Sequence, residues 1–350
     1  MSVLVTGVAG FLGSHLADCL VAEGQEVIGL DDLSGGFREN VPPAVVFQEG
    51  SILDTERLER MFRKHRIEHV FHLAAYAAEG LSHFIRRFNY TNNVVGSVNL
   101  INLAVRFGVK CFVFTSSIAV YGSSQVPMTE RTTPQPEDPY GIAKRAVELD
   151  LEAARRLFGL NYIVFRPHNV YGERQHIGDR YRNVIGIFMN QLMRGEAMTI
   201  FGDGEQTRNF TYTLDVAPVI AGAVRQASAF NRVFNIGSDE VASINQLAVM
   251  VAAAMGQPVK ILRLPERKEV RHAQADHGEL VREFGFHPKW CLREGLPRMA
   301  AWAKRVGCRE PSRFRNIEVD RNLPEIWRSA AGGPTGPPAD PASQDSEEPR

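Results

Sequence analysis

The chain has 350 residues, 44% of them hydrophobic, with 40 basic and 40 acidic side chains. That length allows two domains or lobes and a large buried core. The zero net charge argues against binding a polyanion through bulk electrostatics, and no apolar run approaches the ~20 residues of a bilayer-spanning helix, so neither a nucleic acid nor a membrane is expected as a partner.

The first element is a strand, "VLVT" at 3–6, preceded by so few residues that no signal peptide fits before it. "FLGSHLADCLVAEG" follows, with Leu12, Leu16, Cys19 and Leu20 at helical spacing. Further short β-branched or aromatic runs come at 26–30, 45–48, 69–74, 111–117 and 161–167, separated by stretches of helical period. Several of these runs are apolar on successive residues, as strands covered on both faces of a parallel sheet must be. The alternation predicts an α/β, doubly wound parallel sheet with right-handed crossovers. From about residue 170 the alternation loosens. The expected division is a dinucleotide-binding Rossmann domain over 1–168, with further segments at about 206–230, and a smaller, discontinuous substrate lobe over 169–310. The Pro, Gly, Ser and acid-rich stretch 331–350 is expected to be disordered. Cys19, Cys111, Cys291 and Cys308 are scattered and form no C-x-x-C. This predicts reduced, buried thiols in a cytoplasmic protein, with neither disulfides nor a zinc site. The ten histidines show no metal-ligand spacing, and no metal is expected.

"TGVAGFLG" places Gly7, Gly10 and Gly13 at the junction of the first strand and first helix. Glycines there let the backbone turn tightly and approach a pyrophosphate at the helix N-terminus, where free N–H groups favour anions. The second strand ends in Asp31, a carboxylate able to accept from a ribose 2′-OH and to repel a 2′-phosphate. Asp32 follows and no arginine comes before Arg38, which favours NAD over NADP. Further along, "YGIAK" sets Tyr140 and Lys144 four residues apart, on one face of a helix. By itself that spacing is also compatible with a tyrosine packing on a lysine stem.

The order of "TGVAGFLGSHL", "LDDLSGG", "VFHLAA", "FTSSIAVYG", "YGIAK", "FRPHNVYG", "IFGDGEQTRNF" and "EVRHAQAD" resembles the extended short-chain dehydrogenase/reductase family, in its NAD-dependent epimerase/dehydratase branch. The resemblance runs over roughly residues 3 to 305, and the functional type it suggests is a UDP-glucose (UDP-galactose) 4-epimerase. It implies a catalytic set of Ser117, Tyr140 and Lys144. The lysine and the nicotinamide charge are expected to lower the tyrosine pKa. It implies an NAD site lined by Gly7, Gly10, Phe11, Leu12, Gly13, Asp31, Asp32, Ser34, Gly35, Ser51, Ile52, Leu73, Ala74 and Ala75, with Tyr140, Lys144 and His168 at the nicotinamide. Substrate contacts are assigned to Ser117, Asn169, Arg208 and Arg271, with Ala273 facing the sugar 2-substituent. The reaction implied is a transient oxidation at the sugar's C4, with no net redox and NAD regenerated in place.

Departures narrow the choice. Ile118 and Ala119 stand where sugar-nucleotide dehydratases carry an Asp-Glu pair, so elimination of water is not expected. Ser51 replaces an acid usual beside the adenine, and Asn209 an aspartate that often follows the position of Arg208. Another NDP-sugar epimerase, a keto-sugar reductase or a non-catalytic dinucleotide-sensing protein are the alternatives; a sensor needs none of Ser117, Tyr140 and Lys144. Apolar residues on more than one face of 85–107 and 141–158 (Val94, Val95, Val98, Ile101; Ala143, Val147, Leu151, Ala154) suggest a homodimer packed through those helices.

Overall fold

The computed structural model describes residues 2–123, 126–267 and 269–328; the stretch 331–350, expected to be disordered, lies outside the described residues. Seven strands form the central sheet: β1 (Ser2–Thr6), β2 (Glu26–Asp31), β3 (Val46–Glu49), β4 (Ile67–His72), β5 (Cys111–Thr115), β6 (Tyr162–Pro167) and β7 (Arg232–Ile236). Their order is β7-β6-β5-β4-β1-β2-β3, every neighbouring pair parallel. β1 is central, and Val3, Leu4 and Val5 are all buried, which is why its apolar residues do not alternate with polar ones.

Helices cover both faces. On one, α1 (Phe11–Ala22) packs Leu16, Ala17 and Leu20 with Val216 and Ile220 of the later helix Thr213–Gly222. On the other, Leu58 and Phe62 of α2 (Thr55–Lys64), Leu100 and Leu103 of α3 (Gly96–Arg106) and Val147 and Leu151 of α4 (Pro139–Phe158) share a second core. A third core joins the helices Val184–Met193, Ile244–Met255 and Leu292–Val306 through Phe188, Met189, Leu247, Val251 and Met299.

α4 has clear local causes. Asp138 accepts from the Gly141 N–H (2.9 Å) at its start, Pro139 supplies a fixed φ in the first turn, and Gly159 ends it with φ 77°.

Two features differ from the pattern reading. Arg232–Ile236, expected in the smaller lobe, is the edge strand of the main sheet; it enters only half-buried, with an arginine at its head. Residues beyond 310, to which no structure was assigned, pack Phe314, Leu323 and Trp327 against Leu81, Ile85 and Tyr181. The Glu318 carboxylate there accepts from the Arg87 and Phe88 N–H groups (2.7 and 2.8 Å). Of the cysteines, Cys111 is buried as expected, whereas Cys308 is exposed; all four are free thiols. Among the described residues no helix is long and apolar enough to cross a membrane.

Candidate active site

Strand order reverses between β1 and β4, and a cleft opens at their carboxyl ends, where ligands of such sheets bind. Gly7 follows β1 with φ +74°, and a Cβ on it would lie 2.8 Å from the Ala74 nitrogen. A Cβ on Gly13 would lie 2.0 Å from the Gly7 carbonyl oxygen. No other residue fits this loop as it stands. α1 begins at Phe11 with Gly10 as its cap and no side-chain capping bond, so its first N–H groups face the cleft free for an anion. Asp31 is buried and accepts from the N–H groups of Ala9 (3.0 Å) and Leu33 (2.8 Å). Burial pushes its pKa up, and those donors pull it back. The carboxylate therefore splints the loop while keeping lone pairs for a further donor.

This part of the cleft, a cavity of ≈ 250 Å³, is lined by Gly7, Gly10, Phe11, Leu12, Asp31, Asp32, Ser34, Gly35, Ile52, Leu73, Ala74, Ala75, Tyr140 and Lys144. These are sequence-expected cofactor residues, brought together from five separate segments. Gly13 lies behind the loop, and Ser51 turns its hydroxyl to the Leu53 N–H (3.2 Å) beside the neighbouring lining residue Ile52. A close-approach glycine cradle, an uncapped helix N-terminus and a carboxylate at the end of β2 fit a dinucleotide.

Tyr140, Lys144 and Glu148 form one stripe of α4, and each meets a successive residue at the end of β5. Ser117 and Tyr140 line the same cavity, near enough for the serine to pull the phenol's pKa down. Lys144 Nζ donates to the Thr115 carbonyl at 2.7 Å. Ser116 Oγ donates to Glu148 Oε1 at 2.5 Å. Glu148 in turn holds Arg166 of β6 through two bonds, Nη2–Oε2 2.6 Å and Nε–Oε1 2.9 Å, and Arg166 donates to the Tyr121 hydroxyl (2.7 Å). Arg166 and Glu148 are almost wholly buried. α4 is thus bolted to the strand end through Lys144 and Glu148, and neither Glu148 nor Arg166 lines the cleft.

The chain's own electrostatics do not by themselves lower the phenol's pKa. Burial pushes Tyr140 well above its usual range, against an opposing pull from Ser117. Burial also pulls the Lys144 ammonium down to about 7. Its Nζ lies 5.8 Å from the Tyr140 ring centroid and 4.7 Å from that of Phe114. The protein alone therefore keeps the phenol neutral. The expected lowering counted two cations, and the one the chain supplies is itself desolvated and turned to a backbone carbonyl.

A second cavity of ≈ 370 Å³ continues from the first, sharing Phe11, Leu12, Tyr140, Arg182 and Asn183 with it. Ser117, His168, Asn169 and Arg208 line it, as do Ile118, Glu79, Asp138, Arg267 and Glu269. His168 belongs to this part of the cleft, not to the glycine-loop part. Its Nε2 meets His277 Nε2 at 2.6 Å, and burial holds its pKa down at about 3. Arg208 donates to the carbonyls of Thr207 (2.8 Å) and Arg271 (3.0 Å) and pairs with Glu269 at 3.6 Å. Two expected substrate residues are not among those lining the cavity. Arg271 points its guanidinium to Asp203 (2.8 Å) at the surface, and Ala273 is buried in the short strand His272–Ala273, paired with Arg208. Sequence reasoning passed over Glu79, Arg182, Arg267 and Glu269. No spacing signals them, because separate loops deliver them.

The sequence profile of the NAD dependent epimerase/dehydratase family matches residues 3–237. The UDP-glucose 4-epimerase of Mycolicibacterium smegmatis is 36% identical over 304 residues, covering 85% of this chain and 96% of that protein. A crystal structure of UDP-glucose 4-epimerase with UDP-glucose from Thermotoga maritima is similar at TM-score 0.84 and 38% identity, covering 87% of this chain and 99% of that one. The UDP-glucose 4-epimerase of Thermus thermophilus in complex with NAD gives TM-score 0.80 and 32% identity, covering 86% and 98%.

Proposed function

The chain belongs to the NAD dependent epimerase/dehydratase family, and from that premise we propose that it is a nucleotide-sugar 4-epimerase that interconverts UDP-glucose and UDP-galactose. The observation that carries this reading is the placing of Ser117 and Tyr140 on one wall, where the glycine-loop cavity runs into the second one. A sugar carbon held there lies between a proton-handling pair and the nicotinamide end of the cofactor cleft.

In this reading Gly7, Gly10 and the first turn of α1 hold the pyrophosphate, and Asp31 accepts from the adenosine ribose. NAD, when bound, supplies the hydride acceptor and donor, and a positive charge beside the phenol. As the phenolate that the added positive charge favours, Tyr140 Oη takes the proton from the sugar's 4-hydroxyl and returns it to the keto oxygen after the sugar has turned over in the ≈ 370 Å³ cavity. Ser117 Oγ orients both oxygens. Lys144 fixes the height of Tyr140 against the Thr115 carbonyl and adds cationic charge when protonated. Ile118, an apolar wall beside Ser117, offers no acid or base for eliminating water, which supports epimerase over dehydratase. Asn169 and Arg208 are assigned to the nucleotide diphosphate, guanidinium being matched to phosphate oxygens.

We assign 169–310, apart from the parts joined to the main sheet, to substrate binding. We also take the protein to be a cytoplasmic homodimer. Support for the dimer is Val95, Ile142 and Leu149, 50, 40 and 48% exposed on adjoining helices, while Ile101, Ala143, Val147, Leu151 and Ala154 are buried within the chain.

The test is direct. Purified protein, denatured, should release NAD, and the native protein should convert UDP-galactose to UDP-glucose without added cofactor, followed by chromatography. Retained NAD without conversion of either sugar would overturn the substrate assignment.

A further inference from the structure

We propose that Glu79 sets the class of sugar this cavity accepts: its carboxylate takes a hydrogen bond from a hydroxyl of a neutral hexose and turns hexuronates away. The proposal rests on the reading above, that the cavity takes a nucleotide sugar, and says which ones.

Glu79 opens a short helix, Glu79–Ser82, that is tied to the catalytic turn of α4. Ser82 Oγ accepts from the Tyr140 N–H at 3.2 Å and lies 3.4 Å from Asp138 Oδ1. The Glu79 side chain lines the cavity together with Ser117, Asp138 and Tyr140. It is exposed to the cleft. Among the described residues its carboxylate has no hydrogen-bond partner, unlike Asp138, which caps α4. Its charge is felt at the Tyr140 phenol, whose pKa it raises. An acceptor on this wall that no protein donor holds is open to a donor from the ligand.

The cations nearby do not fill it. Arg267 and Arg208 both lean on Glu269, at 3.1 and 3.6 Å, and Arg182 is held by Asp179 at 2.6 Å. Desolvation, and then the charge of Asp138, push the Glu79 carboxyl up to about 7, with Arg208 and Arg267 opposing less strongly. At pH 8 the carboxyl is above that value and carries its charge. A neutral hexose brings hydroxyl donors to it. A hexuronate brings a carboxylate, which can only accept and adds a like charge, so it meets an unpaired acceptor and repulsion together.

The test measures binding, so that it stands apart from turnover. Affinities of the NAD-loaded enzyme for UDP-glucose and UDP-glucuronate are determined by calorimetry at pH 8. The wild type should bind UDP-glucuronate at least ~10²-fold more weakly. Glu79→Gln keeps the size and removes the charge, and Glu79→Ala removes both. Each should narrow the gap by about tenfold or more, chiefly by improving uronate binding. Wild-type affinities within about threefold of each other, or a gap unchanged in both variants, would overturn the proposal. Failure of UDP-glucose to bind at all would overturn it as well. Binding with this preference but without conversion would count against the 4-epimerase assignment alone.

Discussion

Replacing Glu148 with glutamine probes the part of the site that cannot be seen from the cleft. The side chain is 1% exposed and its partner Arg166 3% exposed. It accepts two bonds from Arg166, at 2.6 and 2.9 Å, one from Ser116 at 2.5 Å, and one from Arg145 at 2.9 Å. Glutamine keeps the shape but leaves a buried guanidinium without its counter-charge, and an arginine cannot shed its proton to escape. Breaking one side of such a pair costs ~3–5 kcal/mol. At ~2 °C per kcal/mol for a chain of this size, the melting temperature should fall by roughly 6–10 °C. Because Ser116 lies between the carbonyl that anchors Lys144 and the hydroxyl that meets Tyr140, kcat should fall as well with the cofactor still bound. Calorimetric melting of wild type, Glu148→Gln and the double variant Glu148→Met/Arg166→Met decides the matter. The double variant should recover most of the loss, since two apolar groups leave no unpaired charge. A single variant melting within about 2 °C of wild type would refute the idea that this pair bolts α4 to β6.

Tyr140→Phe should retain NAD and the fold while turnover drops by at least ~10²-fold, as expected when acid–base assistance is lost; kcat with confirmed cofactor content checks it. Lys144 carries a pH signature. Its pKa falls from 10.5 in the unfolded chain to about 7 when folded, so the unfolded state binds the extra proton between those values and cofactor-free stability should rise with pH across that window. The full penalty, present below pH 7, is at most about 5 kcal/mol. Lys144→Met should flatten this rise in denaturant titrations at pH 7, 8.5 and 10; an unchanged slope would mean that the ammonium is not desolvated.

What could be read before folding was local. The glycine loop, Asp31 and the Tyr140–Lys144 pair are short motifs whose chemistry depends on a strand, a turn and a helix next to one another in the chain. The same holds for the buried strands, whose successive apolar residues announce cover on both faces. What could not be read depends on distant segments meeting. Glu148 and Arg166 are 18 residues apart, and each alone looks like a solvated charge. Glu79 and Arg182 carry no spacing that marks them as cavity lining. Arg232–Ile236 hides as an edge strand because an edge needs cover on fewer sides and tolerates an arginine. Arg271 and Ala273 show the converse. A motif put them at the cavity, while Ala273 is buried in a short strand paired with Thr207–Asn209, and Arg271, just before that strand, turns to Asp203 at the surface. The phenol's desolvation was hidden for a related reason, since it depends on everything packed around a group and not on its nearest charge.

The central claim is that the hydrogen at the sugar's C4 leaves and returns within one closed site. UDP-galactose deuterated at C4, incubated with the purified protein in ordinary water and without added NAD, tests this most directly by NMR and mass spectrometry of the product. The account predicts UDP-glucose with the deuterium still at C4 and none lost to solvent. Conversion with washout of the label, or label retained only because no UDP-glucose forms, would contradict it.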